Sequence, residues 1–403
     1  MAITTVKTKG GKRAKTAGVR VALTGNDAVA EAWRQINPDV VAAYPITPQT
    51  ELMHKFAEFV SDGLVTTKFV LVESEHSAMS CVIGASTGGC RCATATCANG
   101  LALMWEMIYI AASLRCPIVM AVVNRALSGP LNIHCDHSDS MGARDSGWIQ
   151  LYSENVQEAY DNAIQAFRIA ENPTVLLPAM VMLDGFILSH TTEVLEMLPD
   201  EAVQDFIGEY KPDYYLLNPD HPITVGPLDL PDYYFEHKRQ QVEAMEAAPA
   251  VIGEVAAQFE QLTGRSYGFI ERYRLDDAEV AIVVLGSTAG TVKAVVDMLR
   301  DEGKPVGMIK MRVFRPFPVE EIVDALSDLD AVAIFDRSAS FGAMGGPVYL
   351  EILAALRAKE LAVINCIYGL GGRDIGLGLI RPVFEDLLEG KIDPRVRYLG
   401  VRE

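Results

Sequence analysis

Apolar positions form two long alternations of short runs and helical patterns, parted by a polar stretch. In the first, about residues 18–250, positions 19–23 read as a strand. Gly25, Asn26 and Asp27 then lead into a helix over 28–36, with Asp27 as its N-cap. Residues 40–44 form the next strand, stopped by Pro45, and 69–72 another, running into Glu73, Ser74, Glu75 and His76. The small residues of 78–88 suit a closely packed helix. Residues 118–124 are continuously apolar, and 174–178 read as a further strand. Continuous apolar strands alternating with helices predict a parallel sheet covered on both faces.

Residues 195–240, rich in Pro, Asp and Tyr, break the rhythm and read as an irregular surface connection, followed by a helical linker over 240–263. The alternation restarts at about 268. Strands are expected at 279–285, 306–311, 331–335 and 362–368, and helices at 289–302, 319–326 and 346–358. The expected organisation is a tail (1–18), a first α/β domain (19–250) and a smaller α/β domain (265–403).

A net charge of −18 over 403 residues argues against a general nucleic-acid binder, which needs a basic footprint. Positive charge gathers only at the start, where Lys7, Lys9, Lys12, Arg13, Lys15 and Arg20 occur without an acid. That reads as a solvated tail or an arm on an acidic partner. Seven cysteines, an odd number without a signal peptide, suggest a reducing, cytoplasmic setting. No Cys-x-x-Cys occurs, so any iron–sulfur cluster belongs to another chain. The most apolar stretch, 93–112, is interrupted by Asn99 and Glu106, so no membrane span is expected.

Several polar groups sit where strands end, the edge at which open α/β sheets bind ligands. Pro45 and Pro48 frame Thr47 and fix its backbone, as a rigid turn or as a hydroxyl held for a ligand. Glu73, Glu75 and His76 stand at a strand-to-helix switch, where acids either favour the helix N-terminus or exchange a proton with a ligand nitrogen. Arg125 follows the most apolar strand. It either clamps a carboxylate or phosphate, or pairs with Asp136 or Asp139. Asp136, His137, Ser138 and Asp139 are a weak metal signal and read better as an ordering loop or an interface. Gly84-Ala85-Ser86-Thr87-Gly88 matches the serine-hydrolase elbow in letters but falls inside a predicted helix, so it reads as packing. Neither a dinucleotide fingerprint nor a P-loop is present. The Gly-Asp-Gly diphosphate–magnesium motif of thiamine enzymes is missing too. Gly-rich turns at 342–346 and 369–374 read as close packing or subunit contact.

Taken in order, these motifs resemble the alpha subunit of the 2-oxoacid:ferredoxin oxidoreductases, the pyruvate enzyme's alpha chain most of all. The resemblance runs from Gly25-Asn26-Asp27 through 44–48, 74–78, 124–127, 136–139, 144–148, 231–235 and 315–318 to Asp336-Arg337 and 369–374. It implies a thiamine-type pyrimidine-binding domain followed by a transketolase-C-terminal-like domain. It implies thiamine diphosphate shared with a beta subunit, which supplies Mg2+ and the nearest cluster. Further implied are coenzyme A as co-substrate, [4Fe-4S] clusters on partner chains only, gamma- and delta-type subunits, ferredoxin or another acceptor, and a dimer of heteromers. By the same resemblance Glu75 bonds the pyrimidine N1′ of the cofactor, and Pro45 lines the site. Thr47 and Arg125 hold the substrate carboxylate. One stretch departs from the family's Thr-Ser-Ser-Gln-Gly, reading Thr94-Ala95-Thr96-Cys97-Ala98-Asn99-Gly100. Cys97 and Asn99 are therefore expected to widen the substrate pocket. Pyruvate is the first expectation, with a branched acid or phenylglyoxylate as the alternative.

Overall fold

The structure, a computed structural model, describes residues 18–357 and 360–402. The expected basic tail lies outside them apart from Gly18. The first part of the chain runs β1 (Val19–Thr24), α1 (Gly25–Ile36), β2 (Val40–Ala43), α2 (Thr50–Ser61), β3 (Lys68–Leu71) and α3 (Glu75–Thr87). It continues with β4 (Cys92–Thr96), α4 (Ala98–Leu103), α5 (Trp105–Ser113), β5 (Val119–Asn124), α6 (Ser138–Gly142) and β6 (Ile149–Tyr152). Then come α7 (Val156–Ala170), β7 (Ala179–Asp184), β8 (Thr192–Met197), α8 (Asp200–Ile207) and the long α9 (Tyr234–Thr263). The second part holds β9 (Ile270–Tyr273), β10 (Val280–Leu285), α10 (Thr288–Asp301), β11 (Val306–Met311) and β12 (Val313–Arg315). It ends with α11 (Val319–Ala325), β13 (Ala331–Asp336), α12 (Pro347–Ala355), β14 (Ala362–Tyr368), α13 (Leu377–Leu388) and β15 (Arg397–Leu399).

Two α/β sheets result. The larger has the order β12-β6-β7-β5-β4-β2-β3, parallel except where β12 meets β6. The other has the order β15-β14-β13-β10-β11-β9, with only β9 antiparallel. All six residues of β5, of β7 and of β10 are buried, as central strands covered on both faces must be. One core packs α1, α2, α7 and α9 on the larger sheet. A second joins the two lobes, with Trp148, Tyr152 and Met182 against Ile309, Met311 and Phe314. Strand β12 crosses from the second lobe into the first sheet, so the expected division at 250–265 does not separate the sheets.

The structure revises several local expectations. Helix α1 starts at Gly25 with Thr24 as its cap. Its hydroxyl accepts from the Asp27 N–H (3.2 Å) and donates to the Asp27 carboxylate (2.8 Å), so Asp27 partners the cap instead of being it. Residues 174–178 are a turn with Leu176 at φ 42°, and the strand follows at 179. The stretch 195–240 carries the end of β8, which pairs antiparallel with β1, and all of α8 before it becomes irregular.

Candidate active site

Strands β2, β3, β4, β5 and β7 are parallel, so their carboxyl ends share one edge. That edge gathers the turn at 44–49, Ser74–Glu75, Cys97–Gly100, Asn124–Arg125 and Asp184. The turn is anchored from below. The Asn26 amide donates to the Pro48 carbonyl (2.9 Å), and Gln49 Oε1 accepts from the Ile46 N–H (3.3 Å). Gly185 fits under it because a Cβ there would press on the Asn124 carbonyl and lie 2.8 Å from Pro48 Cγ. Pro45 and Thr47 stand exposed on this fixed turn.

Glu75 opens α3, whose N-cap Ser74 accepts from the Ser77 N–H (3.2 Å). Its side chain is buried, 6% exposed, and the carboxylate has no hydrogen-bond partner among the described residues. Opposite it lies Gly100, where a Cβ would sit 2.7 Å from Glu75 Oε1 and collide with Thr96 Oγ1. The buried Thr96 hydroxyl also lacks a partner. Among the described residues a buried carboxylate thus stands without a partner beside a residue where any side chain would collide. A buried acceptor of this kind gains most from an N–H donor brought by a ligand.

Arg125 is 7% exposed. Its Nε donates to the Asn132 carbonyl (2.9 Å) and its Nη1 to the Thr47 carbonyl (2.8 Å). Among the described residues no acidic side chain pairs with it; the Cys97 thiol meets it besides. The guanidinium is thus aimed by neutral carbonyls while its charge stays available for an anion beside Thr47. Asp139, one of the expected ion-pair partners, serves otherwise. Fully buried, it accepts the backbone N–H groups of Ala98 (2.9 Å), Arg125 (3.0 Å) and Ser140 (2.7 Å) and the Asn124 amide (2.8 Å). Burial raises its pKa against those donors. Asp139 therefore ties the start of α4 to the end of β5, with Ala98 at φ 40°.

Cys97 is the clearest correction to the expected pocket wall. It is fully buried, its sulfur 3.2 Å from the Thr47 carbonyl and 3.8 Å from that of Ile46, and burial pushes its thiol up to about 12. It supports the turn from beneath. Asn99 is exposed and clips the following loop, donating to Ser128 Oγ (2.7 Å) and accepting the Ser128 N–H (3.1 Å).

Asn26, Gln49, Thr96 and Gly100 were not singled out by sequence as site residues, whereas Asp139 was read there as part of an ordering loop. The only signal of the first four was a place at strand ends beside the residues that were. Cys135, His137 and Asp184 lie close enough to suggest a metal site. There Arg337 Nη1 already meets Asp184 (3.0 Å), as do His137 Nε2 (2.8 Å) and Ser287 Oγ (2.5 Å), so a cation is in place. A cavity of about 680 Å³ lies at the opposite edge, between the C-terminus of α3, Arg115, Pro117 and the 207–225 segment, away from these groups.

Fold and site together define an α/β subunit of enzyme type, with polar groups gathered at the carboxyl edge of a parallel sheet. Residues 31–257 match the profile described as pyruvate flavodoxin/ferredoxin oxidoreductase, thiamine diphosphate-binding. Residues 278–380 match the pyruvate:ferredoxin oxidoreductase core domain II. The pyruvate synthase subunit PorA of Thermotoga maritima is 58% identical over 95% of this chain and 98% of its own length. PorA of Methanocaldococcus jannaschii is 48% identical over 94% and 98%, and the ketoisovalerate oxidoreductase subunit VorA of Pyrococcus furiosus 45% over 95% and 98%. The fold resembles a 2-oxoglutarate:ferredoxin oxidoreductase from Magnetococcus marinus solved with 2-oxoglutarate, coenzyme A and succinyl-CoA. That likeness has a TM-score of 0.71 at 21% identity and covers 91% of this chain and 65% of that one. It also resembles a split-gene transketolase, with a TM-score of 0.53, 14% identity, and 91% and 98% covered. The chain belongs to the pyruvate:ferredoxin oxidoreductase family. None of its described helices is long and apolar enough to cross a membrane.

Proposed function

We propose that this chain is the alpha-type subunit of a 2-oxo acid:ferredoxin-type oxidoreductase. In the reaction a 2-oxo acid, pyruvate first, and coenzyme A become an acyl-CoA and CO2, and the electron pair leaves to one-electron acceptors. The carrying observation is Arg125, buried without an acid and aimed past Thr47, on the same sheet edge as the unpartnered Glu75. Thiamine diphosphate, when bound, supplies the carbon nucleophile and the electron sink for decarboxylation.

The chain's own residues divide the remaining work. The Glu75 carboxyl holds and returns a proton at a pyrimidine ring nitrogen, which is general acid–base work. Arg125 Nη2 and the Thr47 hydroxyl orient the substrate carboxylate, and Pro45 lines the same turn. Orientation lowers the barrier because the keto carbon is presented in reacting geometry. We assign the diphosphate, Mg2+ and [4Fe-4S] contacts to a beta-type subunit. Gamma- and delta-type subunits, a dimer of heteromers and a ferredoxin acceptor complete the proposed assembly. That the relatives are named as subunits supports this division. Seven free cysteines fit a cytoplasmic, reducing setting.

A second reading keeps the chemistry and changes the substrate to a branched 2-oxo acid, supported by the likeness to a ketoisovalerate subunit. Dye-linked, coenzyme A-dependent oxidation by the native complex separates the two. Pyruvate, 2-oxoisovalerate and phenylglyoxylate are compared by kcat/KM. The proposal expects the highest value with pyruvate. Preference for 2-oxoisovalerate selects the second reading, and no oxidation of any of the three overturns both.

A further inference from the structure

The loop from Ala126 to His137 carries the Asn132 carbonyl that receives Arg125 Nε; its ends are buried, yet its tip has little packing of its own, with Leu131 76% exposed. The first lobe clips it at Ser128, through Asn99, and closes Ala126 on the His134 carbonyl (2.9 Å), but the Asn132 side chain is held from the other lobe, 239 residues away in sequence. The Asn132 side-chain amide donates to the Gly371 carbonyl (3.0 Å), and the Gly371 N–H donates to Asp136 Oδ2 (3.0 Å). The other end of the Asn132 side chain accepts the His134 N–H (2.6 Å), closing the loop on itself. The turn from the second lobe reaches this close only as glycine. Gly369, Gly371 and Gly372 have φ of 64°, 61° and 78°, a left-handed backbone that side chains disfavour. A Cβ on Gly371 would lie 2.5 Å from Asn132 Nδ2, and one on Gly372 would collide with His134 Cβ.

We propose that the Gly369–Gly372 turn is a positioning element for the substrate carboxylate. By holding Asn132 it sets the direction of the Arg125 guanidinium, so both lobes build one anion site. This rests on the reading of Arg125 given above and adds Asn132 and Gly371 as positioning residues. A displaced guanidinium still carries its charge but meets the carboxylate at a poorer angle, and the geometric part of a charge-assisted bond is lost. The loss falls on capture of the 2-oxo acid and not on steps that involve coenzyme A.

The test is steady-state kinetics of the assembled complex with Asn132→Ala, Gly372→Ala and Arg125→Ala. Asn132→Ala leaves the backbone carbonyl that Arg125 uses and removes only its anchor. The expected result is a rise of about tenfold in KM for the 2-oxo acid, the scale of one hydrogen bond to a charged group. Changes in kcat and in KM for coenzyme A should be about threefold or less on the same scale. The double variant Asn132→Ala/Arg125→Ala should be no worse than Arg125→Ala alone, because the anchor acts only through the guanidinium. Gly372→Ala should repeat the KM effect from the other lobe. If Arg125→Ala raises KM while Asn132→Ala and Gly372→Ala do not, the clamp is wrong and the role of Arg125 stands. If Arg125→Ala itself leaves KM unchanged, the reading beneath it is wrong. Additive effects in the double variant also overturn the clamp.

Discussion

Two arginines, both nearly buried, follow strands in the two sheets and are treated oppositely. Arg337, after β13, is 4% exposed and donates to Asp184, which also takes His137 and Ser287. Burial alone would lift the Asp184 carboxyl, but His137 and Arg337 hold it well below the usual carboxylate range. Arg125, after β5, meets carbonyls and the Cys97 thiol but no acid, and faces the exposed Thr47 turn. The lack of an acid is not enough by itself to mark a site. Arg312 also lacks one, yet it spends its donors on Asn162 (2.7 Å), Gln165 (3.2 Å) and the Gly268 carbonyl (3.4 Å) beneath the Tyr267 ring. A charge closed in on itself holds the lobes together; a charge aimed but unfinished, beside an exposed hydroxyl, is set for a ligand. Glu75 belongs with Arg125 on this count, since no described residue answers its carboxylate.

The largest effect should come from the unfinished side. Glu75→Ala in the assembled complex should cut turnover by about 10³-fold or more, within the range of acid–base catalysis. Its secondary structure by circular dichroism should be unchanged. Arg125→Ala should raise KM for the 2-oxo acid about tenfold to hundredfold, as expected for a lost bond to a charged group. On the closed side the cost is stability. Asp184→Asn leaves Arg337 and His137 buried without their acid and should destabilise the chain by about 3–5 kcal/mol, read by denaturant unfolding. If that variant is as stable as the parent, the seam is not a structural ion cluster.

Much of the candidate site was legible because its residues stand at strand ends flanked by Pro or helix starts. Thr47, Glu75 and Arg125 could be picked out that way. The support beneath them was not legible. Asn132 and Gly371 meet only through tertiary docking, and no local pattern links positions so far apart. Cys97 was misjudged because a thiol in a loop-like stretch can face either way, and only the packing of Ile46 decides. In the fold, β4 was missed because Cys-Ala-Thr-Ala-Thr is short and built of small residues, with no run of large apolar side chains. Strand β7 was set too early because Pro178 reads as the end of a strand and in fact precedes one.

A smaller effect separates a third buried group. Burial lifts the Asp336 carboxyl to about 7, although the Asn365 amide and the N–H groups of Val348 and Tyr349 pull it down. The folded chain therefore keeps a proton that the unfolded chain loses near about pH 4. Stability from this group is full below that pH and is lost as pH rises towards about 7. Asp336→Asn should remove this decline from a plot of Tm against pH; an unchanged slope would assign the decline to other groups. The smallest effect is expected from Cys97→Ser. Its sulfur faces backbone carbonyls a hydroxyl can also meet, so the ratio of kcat/KM for pyruvate and 2-oxoisovalerate should move by about threefold or less. A larger swing would return this residue to the pocket wall.

The central claim is that the unanswered Glu75 carboxylate is held for the cofactor's ring nitrogen. The most direct measurement is hydrogen–deuterium exchange at the thiazolium C2 position of thiamine diphosphate bound to the complex, comparing the parent with Glu75→Gln. The account predicts exchange slowed by about hundredfold or more at unchanged cofactor content. Equal exchange rates in the two would contradict it.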